Sequence, residues 1–144
     1  MIYMRRFSLL FIALTLVAFS APACSVTNPS LHMMSADKLP AFAQTAPARV
    51  RQAYQFTAAN REVTEQVPCY CGCVNIGHTS SYDCYIADTY NADILLFDEH
   101  ALNCSICVDI TQEVMRMMRE GKSTPEIVDY VNAAYSKLGS PTTR

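Results

Sequence analysis

Between Arg61 and Arg116 the sequence contains no lysine and no arginine. The same interval carries Glu62, Glu65, Asp83, Asp88, Asp93, Asp98, Glu99, Asp109 and Glu113. No run of basic residues occurs elsewhere, which removes nucleic acid as a partner. Only four glycines occur among 144 residues, and none of them builds a glycine-rich phosphate loop. No serine or carboxylate constellation supports hydrolysis. Internal repeats are absent, and the length suits one small domain. What the acidic interval does hold is six of the seven cysteines and two of the three histidines.

The N-terminus reads as an export signal over residues 1–23. Arg5 and Arg6 form a positive start, and Phe7 to Phe19 is an almost unbroken apolar run. That run is short for an ordinary spanning helix, which needs about 20 residues. Ala21-Pro22-Ala23 then precedes Cys24. Small residues directly before a cysteine resemble a bacterial lipobox, although Ala21 stands where leucine is usual. In this reading Cys24 carries a lipid and the mature protein is extracytoplasmic and tethered to the cell membrane. Cleavage after A-x-A followed by secretion is the alternative. The lipid is preferred, because an exposed free thiol outside the cell is a liability. Arg5-Arg6 with Phe7-Ser8-Leu9-Leu10 also resembles a twin-arginine signal, faintly. Without Arg5 and Arg6 the chain has nine basic and thirteen acidic residues.

Export places the cysteines in an oxidising compartment, where thiols persist when paired, metal-bound or actively reduced. Setting Cys24 aside leaves Cys69, Cys71, Cys73, Cys84, Cys104 and Cys107. Six cysteines suit three disulfides in any of fifteen connectivities, two tetrahedral metal sites, or a mixture. The surrounding carboxylates disfavour thiolates, and no cation nearby in sequence offsets them. A bound metal ion would. A catalytic thiol, which usually has a basic neighbour or a helix N-terminus, fits less well.

Spacing refines this. The sequence predicts a mainly α fold, a small helical domain over residues 47–139 with a long cysteine-rich irregular loop packed on the helices. Residues 24–46 read as lipidated N-terminus and flexible tether, and residues 140–144 as a disordered tail. His32, Met33 and Met34 in the tether are read as incidental. A first helix starts near Pro47 and a short turn covers Arg61 to Gln66. Pro68 to about Asn91 reads as irregular, with Tyr70, Tyr82, Tyr85 and Tyr90 capping the core around the site. A long helix from Asp98 to Glu120 stops at Gly121. Ser123 and Glu126 form a capping box for a last helix reaching about Leu138, with Ile127, Tyr130, Val131 and Ala134 inward.

On the long helix, His100, Cys104 and Cys107 would share one face, with Cβ atoms about 5–6 Å apart. Met115 lies about 12 Å further along a helix, too far for the same ion. Met115 and Met118 are therefore read as core. In a straight strand Cys69, Cys71 and Cys73 would stand about 6.6 Å apart, too far to share an ion at bonds of about 2.3 Å. The backbone must turn, and Gly72 allows it. His78 completes the candidate set: Cys69, Cys71, Cys73, His78, Cys84, His100, Cys104 and Cys107. Soft thiolates select copper(I), zinc or iron–sulfur.

The string Pro68-Cys69-Tyr70-Cys71-Gly72-Cys73 resembles the PCYCGC-motif family of exported bacterial and archaeal proteins, often lipoproteins. The likeness continues through Gly77-His78, Cys84, His100-Ala101, Cys104-x-x-Cys107, Gly121-Lys122-Ser123 and Glu126-Ile127, covering about residues 50 to 138. Val74 departs from the small residue usual after the motif. The resemblance implies the ligand set and membrane attachment, and no established activity. Cys104-x-x-Cys107 and Glu120 to Tyr135 also resemble the thiol-reductase subunits of cytochrome c maturation, with a shorter gap before Gly121. Three readings follow, in order of preference. The first is an extracytoplasmic, membrane-tethered protein binding copper(I) or zinc. The second is a disulfide-stabilised structural or interaction domain. The third is an oxidoreductase using Cys104 and Cys107.

Overall fold

The computed structural model describes residues 30–90 and 94–142. The expected export signal, residues 1–23, and Cys24 lie outside the described residues. Among the described residues, five α-helices and one two-stranded hairpin surround a single core. None of the described helices is long and apolar enough to cross a membrane.

The domain begins earlier than Pro47. Residues expected to form a loose tether carry a short 3-10 turn, Ala36–Lys38, and helix α1, Ala41–Gln44. Leu39 and Ala43 are buried in the core. Met34 is paired both ways with Gln55: its N–H donates to the Gln55 carbonyl at 2.9 Å, and its carbonyl accepts from Gln55 Nε2 at 2.8 Å. The stretch reads as a linker because prolines, serines and alanines dilute its few large apolar residues, Leu31, Met34, Leu39 and Phe42, which pack on the core. Alanine buries without losing side-chain entropy, so a few contacts suffice to fix it.

Helix α2, Ala48–Ala59, follows Pro47, whose fixed φ suits the start of a helix. It buries Ala53, Tyr54, Phe56 and Thr57. Asn60 ends it, its amide donating to the carbonyls of Phe56 (2.7 Å) and His32 (2.8 Å). Helix α3, Arg61–Thr64, is a single turn leading to Pro68.

The stretch after Pro68 is more regular than its composition implies. Short 3-10 turns occupy Cys73–Ile76 and Tyr82–Cys84. Strands β1, Ile86–Tyr90, and β2, Ile94–Phe97, pair antiparallel, with Thr89 opposite Leu95 and an irregularity between Ile86 and Asp88. A lone hairpin is marginal in water. This one holds because Ile86 is buried and Leu95 and Phe97 pack on the core.

The predicted long helix is two elements. His100–Leu102 is a 3-10 turn, Asn103 and Cys104 break the run, and helix α4 is Ser105–Arg119. Asp98 Oδ1 accepts the His100 N–H at 2.6 Å and so holds the tighter turn in place. Helix α4 buries Cys107, Val108, Ile110, Thr111, Val114, Met115 and Met117. Met118 packs beside this core, as the spacing predicted. Gly121 at φ +75° closes the helix; its own N–H bonds to the Met118 carbonyl and that of Lys122 to the Met117 carbonyl, each at 3.0 Å.

Helix α5, Thr124–Tyr135, opens with the expected capping box, the Ser123 N–H donating to Glu126 Oε2 at 2.8 Å. Ile127 and Val131 are buried; Tyr130 and Ala134 are exposed, against expectation. The helix lies at the rim of the domain, so one narrow stripe suffices. Tyr130 instead packs under the Arg116 guanidinium, 5.6 Å from its ring centre.

The chain then returns to the motif loop in place of a free tail. Thr142 is buried; its N–H donates to the Cys69 carbonyl (2.9 Å), and its Oγ1 accepts the Cys69 N–H (2.8 Å). Gly139 lies so close that a Cβ there would stand 2.8 Å from the Tyr70 carbonyl oxygen. A Gly139→Ala substitution is expected to cost about 1–3 kcal/mol, because backbone cannot yield as a side chain would. Chemical denaturation of wild type and variant measures it; equal midpoints would refute the close contact.

Candidate metal centre

Gly72 is the pivot of the motif. Its φ of +87° is open to glycine and strained for other residues. The turn there folds the cysteines together, leaving the Sγ atoms of Cys69 and Cys71 3.5 Å apart. Gly77, at φ +94°, makes the second turn and presents His78. The Ser81 N–H to Val67 carbonyl bond, 2.8 Å, closes the loop at its base. The Tyr70 hydroxyl donates to Asn132 Oδ1 at 2.6 Å, tying it to helix α5.

Five sulfurs converge. Cys107 Sγ lies 3.6 Å from Cys69 Sγ and 3.5 Å from Cys71 Sγ. Cys73 and Cys84 Sγ are 3.6 Å apart. His100 Nε2 is 3.4 Å from Cys71 Sγ. Three quartets have all their ligand atoms within 4.8 Å of one another: Cys69, Cys71, Cys73 and Cys84; Cys71, Cys84, His100 and Cys107; Cys73, His78, Cys84 and His100. Cys69, Cys73, Cys84 and Cys107 are buried, while Cys71 is half-buried. All six described cysteines are free thiols. Their closest separations far exceed the roughly 2.05 Å of a disulfide.

Of the eight predicted site residues, seven meet. Cys104 does not enter any quartet. The helix-face argument fails for it because helix α4 starts one residue later. Cys104 is the N-cap, with extended φ −114° and ψ 98°. His100 reaches the cluster from its own 3-10 turn, not from a shared helix face. Cys104 is half-buried and lines an open groove with Arg49, Val50, Leu102 and Val108.

The thiols are electrically unequal. Hydrogen bonds from Cys107 and then Cys84 hold Cys69 well below the usual thiol range. Cys71 is likewise held low, chiefly by Cys84, with His100 adding to the effect against burial. The protons are thereby kept on Cys84 and Cys107, both pushed up, the first chiefly by Cys107 and the second by Cys69. Cys104 is raised by burial. No lysine or arginine is among the leading influences on any of these five thiols.

Asp98 was read in the sequence only as a favourable helix-start residue. It adjoins both histidines: Oδ1 accepts the His100 backbone N–H, and Oδ2 lies 3.9 Å from His78 Nε2. Its backbone is fixed as well. The N–H donates to the Tyr85 carbonyl (2.8 Å), and the carbonyl accepts from the Tyr54 hydroxyl (2.7 Å). Its position two residues before His100 was the available signal. Tyr70, Tyr82 and Tyr85 do cap the core as expected; the side chain of Tyr90 lies outside the described residues.

The chain matches the family described as "Protein of unknown function with PCYCGC motif" over residues 20–144, and it belongs to that family. No curated protein and no solved structure matches it.

The charge pattern predicts an order of reactivity in the metal-free, reduced protein. Cys71 combines partial exposure with a lowered thiol, so it remains thiolate as pH falls below the ordinary range of about 8.5. Cys104, similarly exposed but raised, does not. Iodoacetamide labelling at pH 7, read by peptide mass spectrometry, is expected to modify Cys71 before Cys104. The reverse order would overturn the assignment of charge.

Proposed function

We propose that this member of the PCYCGC-motif family is an extracytoplasmic protein, held to the cell membrane by a lipid on Cys24, that binds a soft metal ion, copper(I) or zinc. The observation that carries the reading is the convergence of five cysteines and two histidines into overlapping quartets inside the protein. Sulfur and imidazole are the donors these metals select. The set is buried beside acidic sequence, and no lysine or arginine is among the leading influences on Cys69, Cys71, Cys84 or Cys107, so a metal ion would supply the balancing charge. His78 supplies a second sign of the same demand: its Nδ1 is buried without a hydrogen-bond partner. Such an atom normally has one.

Cys69, Cys71, Cys73, His78, Cys84, His100 and Cys107 would hold the metal. Its role is to store, buffer or deliver the ion outside the cytoplasm; no residue is assigned a catalytic part. The free thiols favour this reading over the disulfide framework. The raised thiols of Cys104 and Cys107 disfavour their use as a nucleophilic pair.

Metal analysis of the full chain, purified anaerobically, is expected to find tightly held copper or zinc, and chelation to lower the melting temperature. A metal-free protein with an unchanged melting curve in the presence of either ion would refute metal binding. Membrane attachment is tested separately: Cys24→Ser is expected to release the protein from the membrane fraction, and retention there would refute the lipid.

A further inference from the structure

The quartets overlap in a particular way. Cys84 belongs to all three. The pairs among Cys69, Cys71, Cys84 and Cys107 all fall within 4.8 Å as well: Cys69 and Cys71 at 3.5 Å, Cys69 and Cys107 at 3.6 Å, Cys71 and Cys107 at 3.5 Å, and the three pairs to Cys84 within the shared quartets. This fourth quartet, of sulfur alone, leaves Cys73, His78 and His100. Those three form a quartet with Cys84. Seven ligands therefore divide into two sets of four that share one sulfur.

We propose that the cluster is a binuclear centre for two divalent ions of the zinc class, with the Cys84 thiolate as bridge. This rests on the metal-binding reading above and specifies it. One ion takes Cys69, Cys71, Cys107 and Cys84; the other takes Cys73, His78, His100 and Cys84. The distances fit. Four sulfurs at about 2.3 Å from a tetrahedral ion stand about 3.8 Å from one another. The 3.5–3.6 Å contacts among Cys69, Cys71 and Cys107 require a slight expansion, and their pairs to Cys84 lie within 4.8 Å.

The position of Cys84 suits a bridge. It is fully buried, with Cys73 Sγ at 3.6 Å and the ligand atoms of both sets within 4.8 Å. A buried thiolate bound to one ion keeps lone pairs that water cannot reach; a second ion uses them. His78 fits the second site for a separate reason. Ligation through Nδ1 satisfies the buried unpartnered atom and leaves Nε2–H directed at the Asp98 carboxylate. A carboxylate behind a metal-bound imidazole is the usual arrangement for fixing its tautomer.

Charge selects the valence. Five thiolates with two neutral imidazoles leave about one net negative charge with two divalent ions, and about three with two monovalent ions. Uncompensated charge in the interior is costly, and no lysine or arginine is among the leading influences on Cys69, Cys71, Cys84 or Cys107. Loading displaces the protons of those five cysteines that are still thiols to solvent.

The test uses the reduced full chain, zinc(II) and cobalt(II). Native mass spectrometry is expected to show two zinc ions per chain. The dicobalt form is expected to show sulfur-to-metal charge-transfer absorption and magnetic coupling between the ions. The double variant His78→Ala, His100→Ala should keep one ion with an all-sulfur spectrum, and Cys84→Ala should weaken both sites by about 100-fold or more. Should Cys84→Ala fail to fold, the magnetic measurement on wild type decides alone. One ion per chain, or two without coupling, overturns the bridge and leaves metal binding standing. Clusters of three or more copper(I) ions at affinities zinc cannot match overturn the divalent assignment. Absence of any bound ion refutes the underlying reading itself.

Discussion

The structure depends on thiols being hydrophobic and ionisable at once. As neutral groups, Cys69, Cys73, Cys84 and Cys107 pack in the core with Tyr54, Tyr85, Ile86 and Ile110. Free cysteine buries as readily as other small apolar residues. As thiolates, the same groups are a converged donor set. Few other side chains could sit in mutual contact in an interior of this size and still offer a charge to a ligand. Carboxylates so arranged would be forced to protonate or separate.

The scaffold keeps that arrangement in register through polar ties. Tyr54 and Tyr85 meet edge to face with ring centres 4.9 Å apart. One hydroxyl bonds to the Asp98 carbonyl and the other meets Thr111 Oγ1 at 2.8 Å on helix α4. Helix α2, the hairpin and helix α4 are thus fastened around the same few residues that carry the histidines. Rigid support of this kind governs how well a donor set fits an ion, since misplaced ligands lose affinity quickly.

Much of this was legible in the sequence, and the failures have definite causes. The helix start at Pro47, the stop at Gly121 and the box of Ser123 with Glu126 are local chemistry, and they appear where spacing placed them. The turn at Gly72 followed from the reach of a thiol. The helix-face argument was half right: His100 and Cys107 share a quartet, while Cys104 lies beside Cys107 and Cys71 at its edge and enters none. Spacing cannot show that Asp98 would hold a 3-10 turn at the His100 N–H and so shift the helix start to Ser105. The hairpin was missed because the cysteine and glycine content before it outweighed the run Ile94-Leu95-Leu96-Phe97. Residues 30–46 and Thr142 read as loose because a few irregularly spaced side chains, Leu39, Phe42 and Ala43 among them, and one threonine leave no periodic trace. Asp98 had a visible position but no visible partner, since His78 comes from a distant loop.

Thr142 and Gly139 add an order in time to this geometry. All seven converging residues precede them along the chain, by a wide margin. A chain emerging N-terminus first therefore displays every donor before the residues that brace the motif loop exist. Until they arrive, Cys69 lacks both backbone partners it has from Thr142, and the loop is free to sample other arrangements. Bracing of the motif loop therefore waits on residues 139–142. A nascent segment ending before residue 139 would display the same sulfurs without the partner that Thr142 gives Cys69.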